Sequence, residues 1–152
     1  MNFYTLNKDE LNTIVEIDNG SNKTPWSLHD YEESFNNPNH YFIGCNVDNK
    51  LIGICAYSLI IDEAEILQIV IDKHYQGNGY GYQLLNYICN LVLEQKASQV
   101  FLEVMVGNTN AINLYHKLGF NIIGKRKNYY RVDGKSIDAI LMAKTLVGFN
   151  LS

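Results

Sequence analysis

The segment 76–82, with the sequence QGNGYGY, contains three glycines within five residues. It follows an apolar run at 65–71 that is typical of a β-strand, and it precedes apolar residues at helical spacing that extend to about Lys96. A glycine-rich turn from a strand into a helix presents backbone N–H groups at the positive end of the helix dipole. Glycine also lets a ligand approach the backbone closely. The segment therefore predicts a site for phosphate oxygens.

The spacing of these glycines argues against the two common nucleotide loops. A dinucleotide loop needs G-x-G-x-x-G in a βαβ unit near the start, whereas this chain has G-x-G-x-G after strands of antiparallel type. A Walker loop needs Lys followed by Ser or Thr after its glycines, and neither pair follows the glycines of this segment. Taken alone, the spacing is also compatible with a loop that only requires positive φ angles.

A carboxylate, Glu103, interrupts the apolar strand VFLEVMV at 100–106. A charge at such a position is costly unless it faces a cleft or a partner. The alternative is an acid on the solvent side of the strand, but Phe101 and Met105 on the same face are apolar. Because a partly buried carboxylate can accept the proton of an amine, Glu103 is the candidate general base.

The hydrophobic periodicity predicts the elements that must position these residues, in the order β-α-α-β-β-β-α-β-α-β-β. Asn7, Ser27 and Asn108 are predicted to cap helices, and 19–22 is predicted to be a turn. One mixed sheet with helices on both faces would bury these elements, which indicates the α/β class. We expect one domain over 1–146 and a frayed tail at 147–152. The predicted strands are 3–6, 40–47, 51–61, 65–71, 99–106, 121–130 and 137–144, and the predicted helices are 8–18, 27–35, the one after the glycines, and 111–118.

Composition narrows the classes of function. The formal net charge is −4, which argues against nucleic acid and tolerates a cationic amine or a basic peptide. The sequence shows neither a membrane-spanning run nor a signal peptide, so we expect a cytoplasmic protein. The cysteines and histidines show no ligand spacing, and we expect three free buried thiols and no metal.

Several motifs resemble the GNAT family of N-acetyltransferases over nearly the whole chain. Gln76-x-x-Gly79-x-Gly81 after ILQIVIDKHY resembles the pyrophosphate loop of that family, and LEV at 102–104 and NAINLYHKLGF at 110–120 fit the same pattern. The segments PWS at 25–27, DEA at 62–64, GKRKNYY at 124–130 and DGK at 133–135 are similar to one branch. That branch acetylates the N-terminal alanine of a small-subunit ribosomal protein.

The resemblance implies the GNAT fold, with a mostly antiparallel mixed sheet, and acetyl-CoA as the co-substrate. It places the general base at Glu103 and assigns Tyr115 as the proton donor to the departing thiolate; a core tyrosine is the alternative. Asn108, whose alternative role is a helix cap, would hold the pantetheine arm. Gln76 is expected to shape the loop. The donor would be bound by the backbone of Ile69, Val70 and Ile71 and by Gly77, Asn78, Gly79, Tyr80, Gly81 and Tyr82.

The acceptor implied by the resemblance is a protein N-terminus, with Trp26, Tyr129 and Tyr130 flanking it. Another amine acceptor, such as a lysine side chain or a small molecule, is an alternative, and so is a non-catalytic module that binds acyl-CoA. The sequence does not determine the oligomeric state, for which a monomer is the simplest expectation. Met105 departs from the branch, which commonly has Arg there, so we expect the base to lack that cation.

Overall fold

The computed structural model describes residues 1–147 and contains one seven-stranded sheet in the order β1-β2-β3-β4-β5-β7-β6. Apart from Val147, the predicted tail lies outside the described residues. The predicted order of elements is confirmed, with short 3-10 turns added at Lys8–Glu10 and Lys73–Tyr75. The strands are β1 Asn2–Thr5, β2 His40–Val47, β3 Lys50–Ile60, β4 Glu63–Ile71, β5 Gln99–Met105, β6 Asn121–Val132 and β7 Lys135–Thr145. The helices are α1 Leu11–Ser21, α2 Leu28–Phe35, α3 Tyr80–Glu94 and α4 Thr109–Lys117.

Helices cover both faces of the sheet, as predicted, and the alternation along β3 shows how. Ile54 and Ala56 pack in a cluster with residues of α1 and α2, whereas Cys55 and Tyr57 pack in a second cluster with residues of α3 and α4. Successive side chains of a strand point to opposite faces, so one central strand contributes to both cores. No helix among residues 1–147 combines the length and the apolar character needed to cross a membrane.

The ends of the helices follow local side-chain chemistry. The Ser27 hydroxyl oxygen accepts a hydrogen bond from the Asp30 backbone N–H, and the Ser27 backbone N–H donates to the Asp30 carboxylate, which forms a capping box at the start of α2. Asn7 makes the same arrangement with Glu10 ahead of α1. The predicted turn at 19–22 is wrong, because α1 continues through Gly20 and ends at Ser21. Tertiary packing of the helix outweighs the low helix propensity of Asn and Gly there.

The pairing of β4 with β5 differs from that of all other neighbouring strands and opens a cleft in the sheet. All other strand neighbours are antiparallel, but β4 and β5 run parallel and pair only at Glu63–Gln99, Ala64–Val100 and Glu65–Phe101. We call these the three-pair ladder. Beyond it the two strands have no pairing with each other within the described chain, and β4 carries a bulge where Ala56 and Tyr57 face Gln68 and Ile66. A cleft therefore opens between β4 and β5.

Candidate active site

The cleft between β4 and β5 has the glycine loop at one end. Beyond Ile71 a 3-10 turn leads into the loop, and Gly79 is the N-terminal capping residue of the fifteen-residue helix α3. Its φ of +83° lies in the left-handed region, as does the φ of +80° at Gly77. The positive φ angles required by the loop are confirmed, and the first backbone N–H groups of α3 point toward open space at its N-terminus.

The surroundings of the loop match an anion site built from backbone. A Cβ atom added at Gly77 or at Gly79 would meet no protein atom within 4 Å, so the space in front of the loop is free. Gly81 instead lies against the protein, since its added Cβ would contact Leu114 at 3.4 Å and Ile71 at 3.7 Å. Gly77 and Gly79 thus leave room for a ligand, whereas a side chain at Gly81 would make ordinary contact with α4 and β4.

Side chains around the loop hold its shape. The Gln76 side-chain amide donates to the Ile71 carbonyl at 2.8 Å, which ties the start of the loop to the end of β4. The Asn78 amide donates to the carbonyls of Tyr75 and Gln76 at 3.2 and 3.3 Å. Both amides therefore stabilise the turn itself. The predicted architectural role of Gln76 is confirmed.

The other predicted donor-binding residues lie along the cleft or at its far end. The backbone of Ile69, Val70 and Ile71 pairs with β3 on one side and faces the unpaired opening toward β5 on the other. Asn108 is exposed and caps α4, because its Oδ1 accepts a hydrogen bond from the Ala111 backbone at 3.3 Å. The capping role of Asn108 is thus shown, and its contact with a pantetheine arm stays a prediction.

Glu103 forms an ion pair with a cation that the sequence analysis missed. Its Oε1 lies 3.1 Å from Nε of Arg126 on β6, and its side chain is only 14% exposed, against 57% for that of Arg126. Met105 supplies no cation beside Glu103, as expected, but Arg126 does, so the carboxylate still has a cationic partner. Strand β7 lies between β5 and β6 in the sheet, so Arg126 reaches Glu103 from two strands away. Its only signal in the sequence was its place in the segment GKRKNYY.

A bulge in β6 directs an aromatic residue toward the same carboxylate. Arg126 pairs with Ala139 and Tyr130 with Ile137, so three residues of β6 face only Asp138 of β7. Asn128 adopts a φ of +56° at the centre of this bulge, and its backbone N–H donates to Oδ1 of Asp138 at 2.9 Å. The Glu103 carboxylate, as a hydrogen-bond acceptor, raises the pKa of Tyr129 above its ordinary value.

Tyr115 and Glu103 lie on opposite faces of the sheet. Tyr115 is buried in the cluster that includes Val104 and α3, whereas Glu103 is displaced by one position along β5 and points the other way. Burial raises the pKa of Tyr115 well above its ordinary value. Tyr130 is near both groups: burial and the charge of Glu103 raise its pKa to about 12, and Tyr130 in turn raises that of Tyr115.

The wall formed by the loop between α1 and α2 is organised by a buried carboxylate, Asp18. Its Oδ2 accepts hydrogen bonds from the Tyr31 hydroxyl at 2.7 Å, from the Trp26 backbone at 3.0 Å and from the Gln68 amide of β4 at 3.1 Å. Asn22 donates to Oδ1 at 3.0 Å. The bonds join α1, the loop, α2 and β4, and they fix Trp26 against Tyr31 with ring centroids 5.1 Å apart.

No group of three or more His, Cys, Asp or Glu side chains in residues 1–147 is arranged to hold a metal ion. The three cysteines Cys45, Cys55 and Cys89 are free and buried, as predicted. The polar groups available in the cleft are thus the backbone of the glycine loop, carboxylates, phenols and one guanidinium. This set is suited to binding an anion and moving protons.

Comparison with known proteins agrees with this geometry. A family model described as "Acetyltransferase (GNAT) family" matches residues 11–120. The chain belongs to this family. The matched part of this GNAT acetyltransferase runs from α1 to the end of α4, and so contains the glycine loop, Glu103 and Tyr115.

Two relatives that match this GNAT acetyltransferase share one name. The ribosomal protein bS18-alanine N-acetyltransferases of Haemophilus ducreyi and of Escherichia coli K12 are each 30% identical to it over 142 residues. The match covers 91% of this chain and 96% and 93% of theirs. The crystal structure of the E. coli ribosomal-protein-S18-alanine N-acetyltransferase superposes with a TM-score of 0.90 and 27% identity, covering 99% of this chain and 98% of that one. The GNAT fold expected from the sequence is confirmed.

Proposed function

We propose that this enzyme transfers acetyl from acetyl-CoA to the N-terminal α-amino group of a protein, specifically the N-terminal alanine of ribosomal protein bS18. The observation that supports this most is the cleft itself, with the glycine loop at the end of β4 and Glu103 on the facing strand. The acceptor comes from the names of the relatives of similar length and identity. We also propose that one domain over 1–146 carries the whole site and that the enzyme works in the cytoplasm, where such an acceptor is made.

The donor side would be bound mainly by backbone. The N–H groups of the segment 77–82, at the positive end of α3, would hold the pyrophosphate of acetyl-CoA. The unpaired edge of β4 at Ile69, Val70 and Ile71 would pair with the amides of the pantetheine arm, as another strand would, and Asn108 would contribute a side-chain bond. A backbone N–H of this edge would donate to the thioester oxygen as negative charge develops on it, which is worth about 3 kcal/mol in other acyl transfers.

Proton movement would be divided between two side chains. An α-amino group has a pKa of about 7.7–8.0, so near neutral pH most of it carries an extra proton that must leave before the nitrogen attacks. Glu103 would take that proton directly or through water: the N–H bond breaks and a carboxyl O–H forms. Tyr115 would give its phenolic proton to the sulfur as the C–S bond breaks. Because burial raises the pKa of Tyr115, its phenol stays protonated and ready to donate.

An acetylation panel tests the proposal against its alternatives. The protein is mixed with acetyl-CoA and with a peptide carrying the bS18 N-terminus, the same peptide with its N-terminus blocked, lysine peptides or polyamines, and free thiol is measured. We expect thiol release with the unblocked peptide above all. Release with lysine peptides or polyamines instead would move the acceptor to another amine. Tight binding of CoA without release in any mixture would identify a module that binds acyl-CoA without catalysis.

A further inference from the structure

Arg126 forms an ion pair with the carboxylate that the proposed function assigns to the acceptor amine. Its Nε lies 3.1 Å from Oε1 of Glu103, so in the free protein the candidate base already has a cationic partner. The Arg126 side chain is 57% exposed, and its guanidinium carbon lies 5.6 Å from the centre of the Tyr129 ring. The guanidinium is the more exposed partner of this pair, so water can solvate it when it leaves the carboxylate. The carboxylate itself is mostly covered and would need another cation in its place.

A second carboxylate, Glu65, lies on the same face of the sheet. Glu65 pairs with Phe101 in the last step of the three-pair ladder, and Glu103 follows two residues later on β5. From strand geometry the two Cα atoms are about 8 Å apart, within reach of one guanidinium. The charges act on one another: partial burial and the charge of Glu103 raise the pKa of Glu65, whereas Arg126 lowers it. The positive charge of Arg126 therefore acts on both carboxylates, Glu103 and Glu65.

We propose that Arg126 is a displaceable counterion of Glu103, which the ammonium group of the acceptor replaces while the guanidinium moves to Glu65. This inference rests on the proposed function, because it describes how the acceptor of that reaction enters. The exchange conserves the ion pairs, since one cation arrives at Glu103 as another leaves for Glu65. The site then favours cationic amines, and Arg126 is a positioning residue that keeps Glu103 in place until the acceptor arrives.

Three variants and the wild-type protein test the exchange through the KM of an alanine-initiated peptide. Arg126→Gln removes the competing cation, so the KM for the peptide should fall by about 2- to 5-fold while the KM for acetyl-CoA is unchanged. Arg126→Lys keeps the charge and should restore the wild-type KM. Lys125→Gln is the matched control, because Lys125 precedes Arg126 on β6 and points to the opposite face.

A double-mutant cycle that combines Glu65→Gln with Arg126→Gln is the decisive test. In the wild-type background it removes the second partner of the guanidinium and should raise the KM for the peptide by a similar factor. In the Arg126→Gln background no guanidinium is present for Glu65 to bind, so Glu65→Gln should leave the KM for the peptide unchanged. A rise in KM for Arg126→Gln alone, or an equal effect of Glu65→Gln in both backgrounds, would overturn the exchange.

An uncharged competitor separates this inference from the function on which it rests. A peptide that begins with lactate has a hydroxyl in place of the amine, and the inference predicts equal binding to the wild-type protein and to Arg126→Gln, measured by calorimetry with CoA present. The alanine-initiated peptide should bind Arg126→Gln more tightly in the same measurement. If the alanine-initiated peptide, like the lactate peptide, binds the wild-type protein and Arg126→Gln with equal affinity, the exchange is contradicted. Failure of acetyl transfer in the panel above contradicts the proposed function instead, since calorimetry requires no transfer.

Discussion

The two sides of the cleft are built from different materials. On the proposed donor side the glycine loop and the unpaired edge of β4 offer backbone groups, whose positions are fixed by the helix and the strand they belong to. On the proposed acceptor side Glu103, Arg126 and Tyr129 offer side-chain charges and hydroxyls, brought together from two strands and a bulge. Backbone groups suit a ligand part common to a large family, whereas side chains are replaced one at a time and allow acceptors to differ.

The largest effect is expected from Glu103→Gln, on the acceptor side. The amide keeps the shape of the side chain and cannot accept the proton of the amine, so kcat should fall by about 10³-fold with acetyl-CoA affinity unchanged. The loss should shrink as the pH rises past about 8, because the amine then loses its proton to solvent. Turnover from pH 6 to 9.5 measures this. An unchanged rate at pH 7 would remove Glu103 from the mechanism.

Asp18→Ala tests whether the acceptor wall depends on one buried carboxylate. The change leaves the donors from Tyr31, Trp26 and Gln68 without their acceptor, so the free energy of unfolding should fall by about 3 kcal/mol. Chemical denaturation measures this, with Glu16→Ala, exposed on the same helix, as the control. In the milder Asp18→Asn variant, the KM for the peptide should rise and the affinity for acetyl-CoA should persist. Equal loss of both affinities would mean that the two sides are not independent.

Tyr115→Phe removes a single hydroxyl from the buried cluster that includes α3 and β5. Without the phenolic proton the thiolate must leave unprotonated or take a proton from water, and kcat should fall by about 10²-fold with little change in either KM. Tyr57→Phe, another buried tyrosine of the same core, is the control for packing. Because burial raises the pKa of Tyr115, deprotonation of this group should not lower the wild-type rate up to pH 10. A fall in stability as large as the fall in rate would indicate a structural role alone.

Gly79→Val, on the proposed donor side, is expected to have the smallest effect of these variants. The new side chain would meet no protein atom within 4 Å, so the effect comes from a β-branched residue at φ +83° and from its intrusion into the space for phosphate. Backbone strain of this kind costs about 1–3 kcal/mol, and we expect the affinity for CoA to fall about tenfold or more.

Gly134→Val is the matched control for this loop variant. Gly134 has a φ of +76° and the same free space, but it lies in the turn between β6 and β7. Calorimetry with CoA should show normal affinity for Gly134→Val, while thermal unfolding shows a similar loss of stability in both variants. Normal affinity in Gly79→Val would mean that the donor is bound elsewhere.

The structure of the glycine loop was easier to predict from the sequence than the surroundings of Glu103, because the loop depends on residues that are neighbours in the chain. A glycine spacing, a strand and a helix are contiguous in the chain, so the turn at Gly79 and its positive φ could be expected from neighbouring residues. The caps at Asn7, Ser27 and Asn108 were predictable for the same reason. The end of α1 was not, because packing against β4 extends the helix through Asn19 and Gly20.

The missed features of the acceptor side depend on distant pairs. Arg126 reaches Glu103 across β7, and no spacing in the sequence reports which strands become neighbours. The bulge that directs Tyr129 depends on the register between β6 and β7 and on Asp138, ten residues away from Asn128. Asp18 could be suspected as a charge on the apolar face of a helix, but its four donors come from separate parts of the chain.

Because β4 and β5 are paired only in the three-pair ladder, a small rotation there moves the far end of β4 by a larger distance. Glu65 is the last ladder residue of β4 and Ile71 is its end, so the strand extends about 20 Å from the ladder to the glycine loop. A rotation of about 3° at the ladder would move the loop by about 1 Å, a displacement that costs some enzymes about 10²-fold in rate. Ala64 and Val100, paired in the ladder and fully buried, would thus set the distance between the two reactants of the proposed function without touching either.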